Sequence, residues 1–130
     1  EFVVNLVSSE MLENMVETAA AYAPGESEPD ILGLSLTASK KVKPPRLTDA
    51  PVAIECERIM SLSLSSERSI LIGRAMGVFA KNGLIDPATF HVDWANNYPI
   101  GRLFGDQYAE ISKIRRYSIP KTKRAHNKRE

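Results

Sequence analysis

Residues 52–64 alternate with a period of two. Val52, Ile54, Cys56, Met60, Leu62 and Leu64 occupy even positions, while Glu55, Glu57, Ser61 and Ser63 occupy odd ones. That repeat is the signature of a β-strand with one apolar face. Ser65-Ser66-Glu67-Arg68 supplies a polar reversal, and residues 69–80 form a second long apolar run, so the pair predicts an antiparallel hairpin. Gly73 and Gly77 interrupt the second strand, and strand glycines mark bends or bulges, which favours a curved, barrel-like sheet over a flat one. Residues 2–7, apolar apart from Asn5, predict a further strand buried on both faces.

Between these strands the pattern changes. Ser8 and Ser9 are suited to cap a helix, Glu10 suits its positive end, and Met11, Leu12, Met15, Val16, Ala19 and Ala20 fall on one helical face as ordinary core residues. Pro24-Gly25 closes that segment. Leu32, Leu34 and Leu36 alternate with Gly33, Ser35 and Thr37, which predicts a short strand with one wet face. Residues 40–46 carry Lys40, Lys41, Lys43 and Arg46 around Pro44-Pro45, so they predict an extended loop that either faces an anion or is simply solvated. Lys81-Asn82-Gly83 predicts a turn, and residues 86–89 begin a short helical or irregular stretch. Arg58 breaks the even apolar face of residues 52–64. An unpaired guanidinium in a core is costly, so either the barrel mouth opens there or the residue pairs with a carboxylate, with an oligomer interface one place to find it, and pairing is the favoured expectation.

Composition narrows the class. At 130 residues the chain is one small domain or part of one, and 43% hydrophobic with 25% charged residues describes a globular protein rather than a disordered one. No apolar run approaches the ~20 residues that span a bilayer, so no membrane association is expected. The lone Cys56 cannot form a disulfide within the chain, which fits a reducing, cytoplasmic setting, and its apolar strand position reads as core packing. The chain opens at Glu1 in mid-strand without a methionine, so it is expected to be a later part of a longer domain.

Charge divides the chain into a body, 1–112, at −6 and a basic tail, 113–130, at +7. A basic tail can seek anions, but Tyr117 is its only aromatic residue, so no nucleic-acid function is expected and a solvated extension is the plainer reading. His91 and His126 stand apart from any cysteine or carboxylate cluster, so no metal site is expected. Phosphate-binding glycine loops and nucleophile elbows are missing. Glu55 and Glu57 point to one side of their strand and read as solvated glutamates. With no local catalytic constellation, any difficult chemistry falls to a cofactor.

Several segments, in order, resemble the flavin-reductase-like, FMN-binding split-barrel family. They are Glu1-Phe2-Val3-Val4-Asn5-Leu6-Val7-Ser8, the stretch from Leu34 to Lys43-Pro44-Pro45-Arg46, and Pro51-Val52-Ala53-Ile54-Glu55-Cys56. Ile72-Gly73-Arg74 with Asn82-Gly83-Leu84-Ile85-Asp86 follows, and then Pro99-Ile100-Gly101-Arg102-Leu103-Phe104-Gly105-Asp106-Gln107-Tyr108-Ala109. Phe104 departs from the family, which has glycine there. The resemblance implies a mainly β fold with some α, an FMN-binding split β-barrel here lacking its N-terminal strands. It further implies a homodimer with FMN near the subunit interface and hydride transfer from NAD(P)H to that flavin. The acceptor would be a free flavin for a partner monooxygenase, a ferric chelate or another carrier. Asn5, Lys43, Arg46, Arg102 and Tyr108 are the expected cofactor-binding residues, and no side chain is expected to act as a catalytic acid or base. Two other readings stand beside this one: a flavin-binding module without turnover, and an interaction protein acting through the basic tail.

Overall fold

The computed structural model describes residues 1–94, 97–113, 115, 117 and 118. Strand β1 (Phe2–Asn5) leads through a 3-10 turn into helix α1 (Leu12–Glu17), followed by the one-turn helix α2 (Glu28–Ile31). A small hairpin pairs β2 (Leu36–Thr37) with β3 (Arg46–Leu47), and the long strands β4 (Val52–Ser63) and β5 (Ser69–Ala80) form a second hairpin. A third joins β6 (Ile100–Arg102) to β7 (Tyr108–Glu110). The sheet order is β1-β4-β5, antiparallel throughout, and the sheets among the described residues are open rather than closed into a barrel.

The long hairpin matches its expected bounds, but its faces do not. Paired residues share a face and consecutive residues alternate. Arg58 opposes Gly73 and Met60 opposes Ile72, which leaves Ile59 as an extra residue in β4. The bulge sends Met60 and Leu62 to the face opposite that of Ile54, Cys56 and Arg58, so the even positions of 52–64 do not form one stripe. A second shift sets Glu55 against Gly77 and Cys56 against Ala75, skipping Met76. Both bulges fall beside the two glycines, where a curved strand needs them. Arg58, on the same face as Cys56, is exposed and meets no carboxylate of this chain among the described residues, so the expected internal ion pair is not formed.

The core sits at one end of this sheet, where Ala50, Pro51, Val52, Ala53, Cys56, Val42 and Leu84 are buried. β1 lies on β4 in the register Phe2 with Cys56 and Asn5 with Ala53, and Phe2, Val3 and Asn5 are half-buried while Val4 is exposed, so the strand is not covered on both faces. Phe2 closes the core over Gly73. A Cβ on Gly73 would lie 2.6 and 2.9 Å from two carbons of the Phe2 ring. Gly73→Ala is therefore expected to destabilise the fold by about 1–3 kcal/mol through overpacking. Thermal unfolding should show a fall of roughly 4 °C or more, and an unchanged midpoint would mean the ring moves aside freely.

Local signals were overridden in three further places. α1 stops at Glu17, well before Pro24, and leaves Ala19 and Ala20 exposed. Ser8 and Ser9 make no side-chain cap: Ser8 is buried in an antiparallel bridge to Pro99, and the Ser9 hydroxyl donates to Glu110 Oε1. These contacts dock the β6–β7 hairpin on the start of the helix. Leu32 and Leu34 are not in a strand, because α2 precedes them and Gly33 turns the chain at φ +64°, leaving only Leu36–Thr37 to pair. The turn at 81–83 forms as expected. The basic tail lies largely outside the described residues.

Candidate functional site

Two clefts flank helix α1 and share Asn14. The first, about 360 Å³, is walled by Asn5 and Val7 from β1 and the segment after it, Met11 and Met15 from the helical segment, and Leu34, Ser35, Leu47 and Asp49 around the β2–β3 hairpin. The second, about 620 Å³, lies between α1 and the β6–β7 hairpin, with Glu13, Glu17 and Asn14 facing Arg102, Asp106 and Tyr108. Both volumes fall within the range of small-molecule sites.

The five expected cofactor residues divide between these places. Asn5 lines the first cleft, and its side-chain oxygen accepts a hydrogen bond of 3.1 Å from the Leu47 amide, so it ties β3 to β1. Arg46 stands next to Leu47, but its guanidinium lies 3.5 Å from the centroid of the Phe79 ring and donates to the carbonyls of Leu47 and Thr48 at 3.4 and 3.5 Å. Both bonds come from Nη1, so the ring contact and one arm of the fork serve structure. Arg46→Ala is accordingly expected to lower the thermal midpoint while changing flavin affinity less than twofold; a selective loss of affinity at unchanged stability would return it to the binding site. Lys43 is exposed, with its amide donating to Glu1 Oε2 at 2.8 Å.

Arg102 and Tyr108 come together in the second cleft, as cross-strand partners of β6 and β7. The hairpin reverses at Gly105, whose φ of +65° is a left-handed conformation that suits glycine. The turn brings the Gly105 carbonyl within 3.3 Å of Arg102 Nη2, and the guanidinium stands 6.0 Å from the centroid of the Tyr108 ring. An aromatic face and a bidentate cation thus line one wall of an open cleft, opposite two glutamates.

Glu55 is the residue whose surroundings the sequence reading missed. Rather than being solvated beside Glu57, it is only 4% exposed. Its carboxylate accepts the Lys40 amide at 3.0 and 3.2 Å and the Lys41 amide at 2.6 Å. Glu57, two residues on, is exposed. One signal was available: the β5 partner of Glu55 is Gly77, and a missing side chain there leaves space for a loop to cover the carboxylate.

Asp86 begins the turn that runs to His91. The Thr89 hydroxyl, and then the Ala88 amide, hold its carboxyl below the usual value of 3.8. A depressed carboxylate contributes stability above its unfolded pKa and loses it as pH falls through the folded value. The 86–91 turn should therefore tighten toward neutral pH and loosen only in acid below the ordinary aspartate range. A chemical-shift titration of the Ala88 amide checks this, and a transition near neutrality would contradict it. No helix among the described residues is long and apolar enough to cross a membrane.

The comparisons with known proteins converge on one family. The model of the flavin reductase like domain matches residues 1–99. An uncharacterized protein of Aquifex aeolicus is 33% identical over 110 residues, covering 85% of this chain and 55% of its own length. Among solved structures, the Pseudomonas fluorescens 2-nitrobenzoate 2-nitroreductase is similar at a TM-score of 0.83 and 33% identity, over 92% of this chain and 59% of that one. Nitrilotriacetate monooxygenase component B from Bacillus cereus aligns at TM-score 0.78 and 24% identity, over 88% and 58%. A split barrel domain protein from Shewanella frigidimarina aligns at 0.75 and 19%, over 91% and 60%. The last two show a shared fold. The chain spans about half the length of the curated relatives it matches.

Proposed function

The chain belongs to the flavin reductase like domain family, and on that footing we propose that it forms part of an FMN-binding oxidoreductase that takes hydride from NAD(P)H and passes the electrons to a second acceptor. The observation that carries this reading is the family match over residues 1–99, which takes in β1, α1 and the lysine-bearing hairpin around the first cleft. The Arg102–Tyr108 wall of the second cleft lies just beyond it. The likeness to a 2-nitroreductase at 33% identity favours reductive chemistry, and the fold shared with a monooxygenase component B is consistent with a partner monooxygenase as one destination for electrons.

The residues present fit FMN at both ends of that molecule. Tyr108 offers a ring for the flat isoalloxazine, Asn14 an amide and Arg102 a fork for its carbonyl edge. Lys40, Lys41 and Lys43 are exposed ammonium groups suited to its phosphate. Bound FMN would supply hydride acceptance and electron release singly or in pairs, chemistry that side chains do not provide. This chain's residues bind, orient and shield. Asn5 and Arg46 support the hairpin, Arg102 and Tyr108 hold the ring edge, and the acids Glu13, Glu17 and Asp106 keep a phosphate away from that end.

The groups proposed for the ring and for the phosphate stand on different hairpins of one chain, which a homodimer would accommodate by supplying one group from each copy. The exposed face of Met60, Leu62, Ile70 and Ile72 offers an apolar surface for that pairing. Purified protein supplied with FMN should oxidise NADH or NADPH. Retention of FMN without that oxidation would leave a flavin-binding module, and failure to retain any flavin would contradict the reading.

A further inference from the structure

We propose that Glu55 is a positioning residue for phosphate recognition: its buried carboxylate folds the tip of the β2–β3 hairpin so that Lys40, Lys41 and Lys43 present unpaired ammonium groups to an anion. The inference rests on the flavin reading above, with the FMN phosphate as that anion. A carboxylate leaves water at heavy cost unless hydrogen bonds compensate it, and Glu55 is 4% exposed. The compensation comes from the main chain rather than from lysine side chains. Oε1 accepts the Lys40 amide at 3.0 Å, and Oε2 accepts the Lys41 amide at 2.6 Å. Two residues on, the Lys43 amide is taken by Glu1 Oε2 at 2.8 Å. The acids that meet this loop are thus spent on its backbone. None of the three ammonium groups has a carboxylate partner among the described residues, although the chain through residue 112 carries a net charge of −6.

The pinned tip is mechanically connected to the first cleft. Leu34 and Ser35 just before β2, and Leu47 and Asp49 at and beyond β3, are walls of that cleft. Whatever fixes the tip therefore fixes the backbone from which the lysines project relative to those walls. The Ser39 hydroxyl closes the tip by donating to the Pro44 carbonyl at 2.6 Å, and two prolines limit the conformations left to it. From below, the Lys41 stem runs across Gly77, its Cγ 3.2 Å from where a Cβ would stand. Glu55 is the one side chain that holds both the Lys40 and Lys41 amides at once.

Glu55→Gln tests this because it keeps the shape but places an NH2 group against a backbone N–H. In the whole protein, FMN affinity should fall about tenfold or more while riboflavin affinity changes less than twofold. The salt dependence of FMN binding should flatten in the variant, since an ordered cationic cluster is lost. Equal losses for FMN and riboflavin would reduce Glu55 to a structural residue and overturn the proposal, as would unchanged FMN affinity. Should the variant fail to fold, hydrogen exchange on wild-type protein decides: FMN should protect residues 40–43 more than riboflavin does, and equal protection overturns the proposal. Wild-type protein that binds neither flavin would sink the flavin reading itself, a result distinguishable from either of these.

Discussion

Arg102→Ala is expected to weaken FMN and riboflavin binding alike, each by roughly 10- to 150-fold, the equivalent of losing one charge-assisted hydrogen bond of about 1.5–3 kcal/mol. The equality follows from the electrostatics of the cleft. Among the described residues that line it Arg102 is the only cation, with Glu13 and Glu17 opposite and Asp106 on its own hairpin, so a phosphate there would meet more negative than positive charge. A neutral ring carbonyl would not. The guanidinium is already oriented by the Gly105 carbonyl and the Tyr108 ring, so little side-chain freedom remains to be lost on binding. Fluorescence titration with both flavins is the measurement. A loss confined to FMN would move the phosphate to this cleft and away from the lysine hairpin, and no loss for either would make Arg102 a structural residue.

An equally large effect is expected at the far end of the long hairpin. Beyond the Ile59 bulge, Met60 and Ile72 pair across the strands, as do Leu62 and Ile70, and their exposures of 49, 42, 46 and 47% leave a continuous apolar face in water. Replacing Ile70 with Asp should place an unpaired carboxylate in the proposed dimer interface, which costs several kcal/mol and so raises the dissociation constant by about a thousandfold or more. Because the residue is half-exposed within a single chain, the fold of that chain should survive. Sedimentation of the whole protein at micromolar concentration should change from twice the chain mass to the chain mass. A wild-type protein that sediments as a monomer would contradict the dimer, and an Ile70→Asp dimer would place its interface elsewhere.

Much of the architecture was legible because its causes are local. The period-two run from Val52, the polar turn at 65–68 and the apolar run from Ser69 are each specified by neighbours in sequence, and β4 and β5 appear accordingly. The face assignment failed at Ile59, because one inserted residue inverts every later side chain and no local composition marks it. Glu55 was misread for a related reason. An acidic residue in a strand looks solvated until a segment fifteen positions earlier folds over it, and that covering is long-range. Arg46 shows the same limit. A phenylalanine thirty-three residues later lies against its guanidinium, a contact that no local pattern announces. Arg102 and Tyr108 come together for a more local reason, since a tight hairpin with glycine at its turn pairs residues close in sequence.

Heat denaturation of the purified whole protein, with identification of the small molecule released, decides whether this fold carries a phosphate-bearing flavin. The expected result is a yellow protein that releases FMN, with close to one equivalent per chain after reconstitution. A colourless protein that takes up no FMN on reconstitution would contradict it, as would one that releases only a flavin without a phosphate.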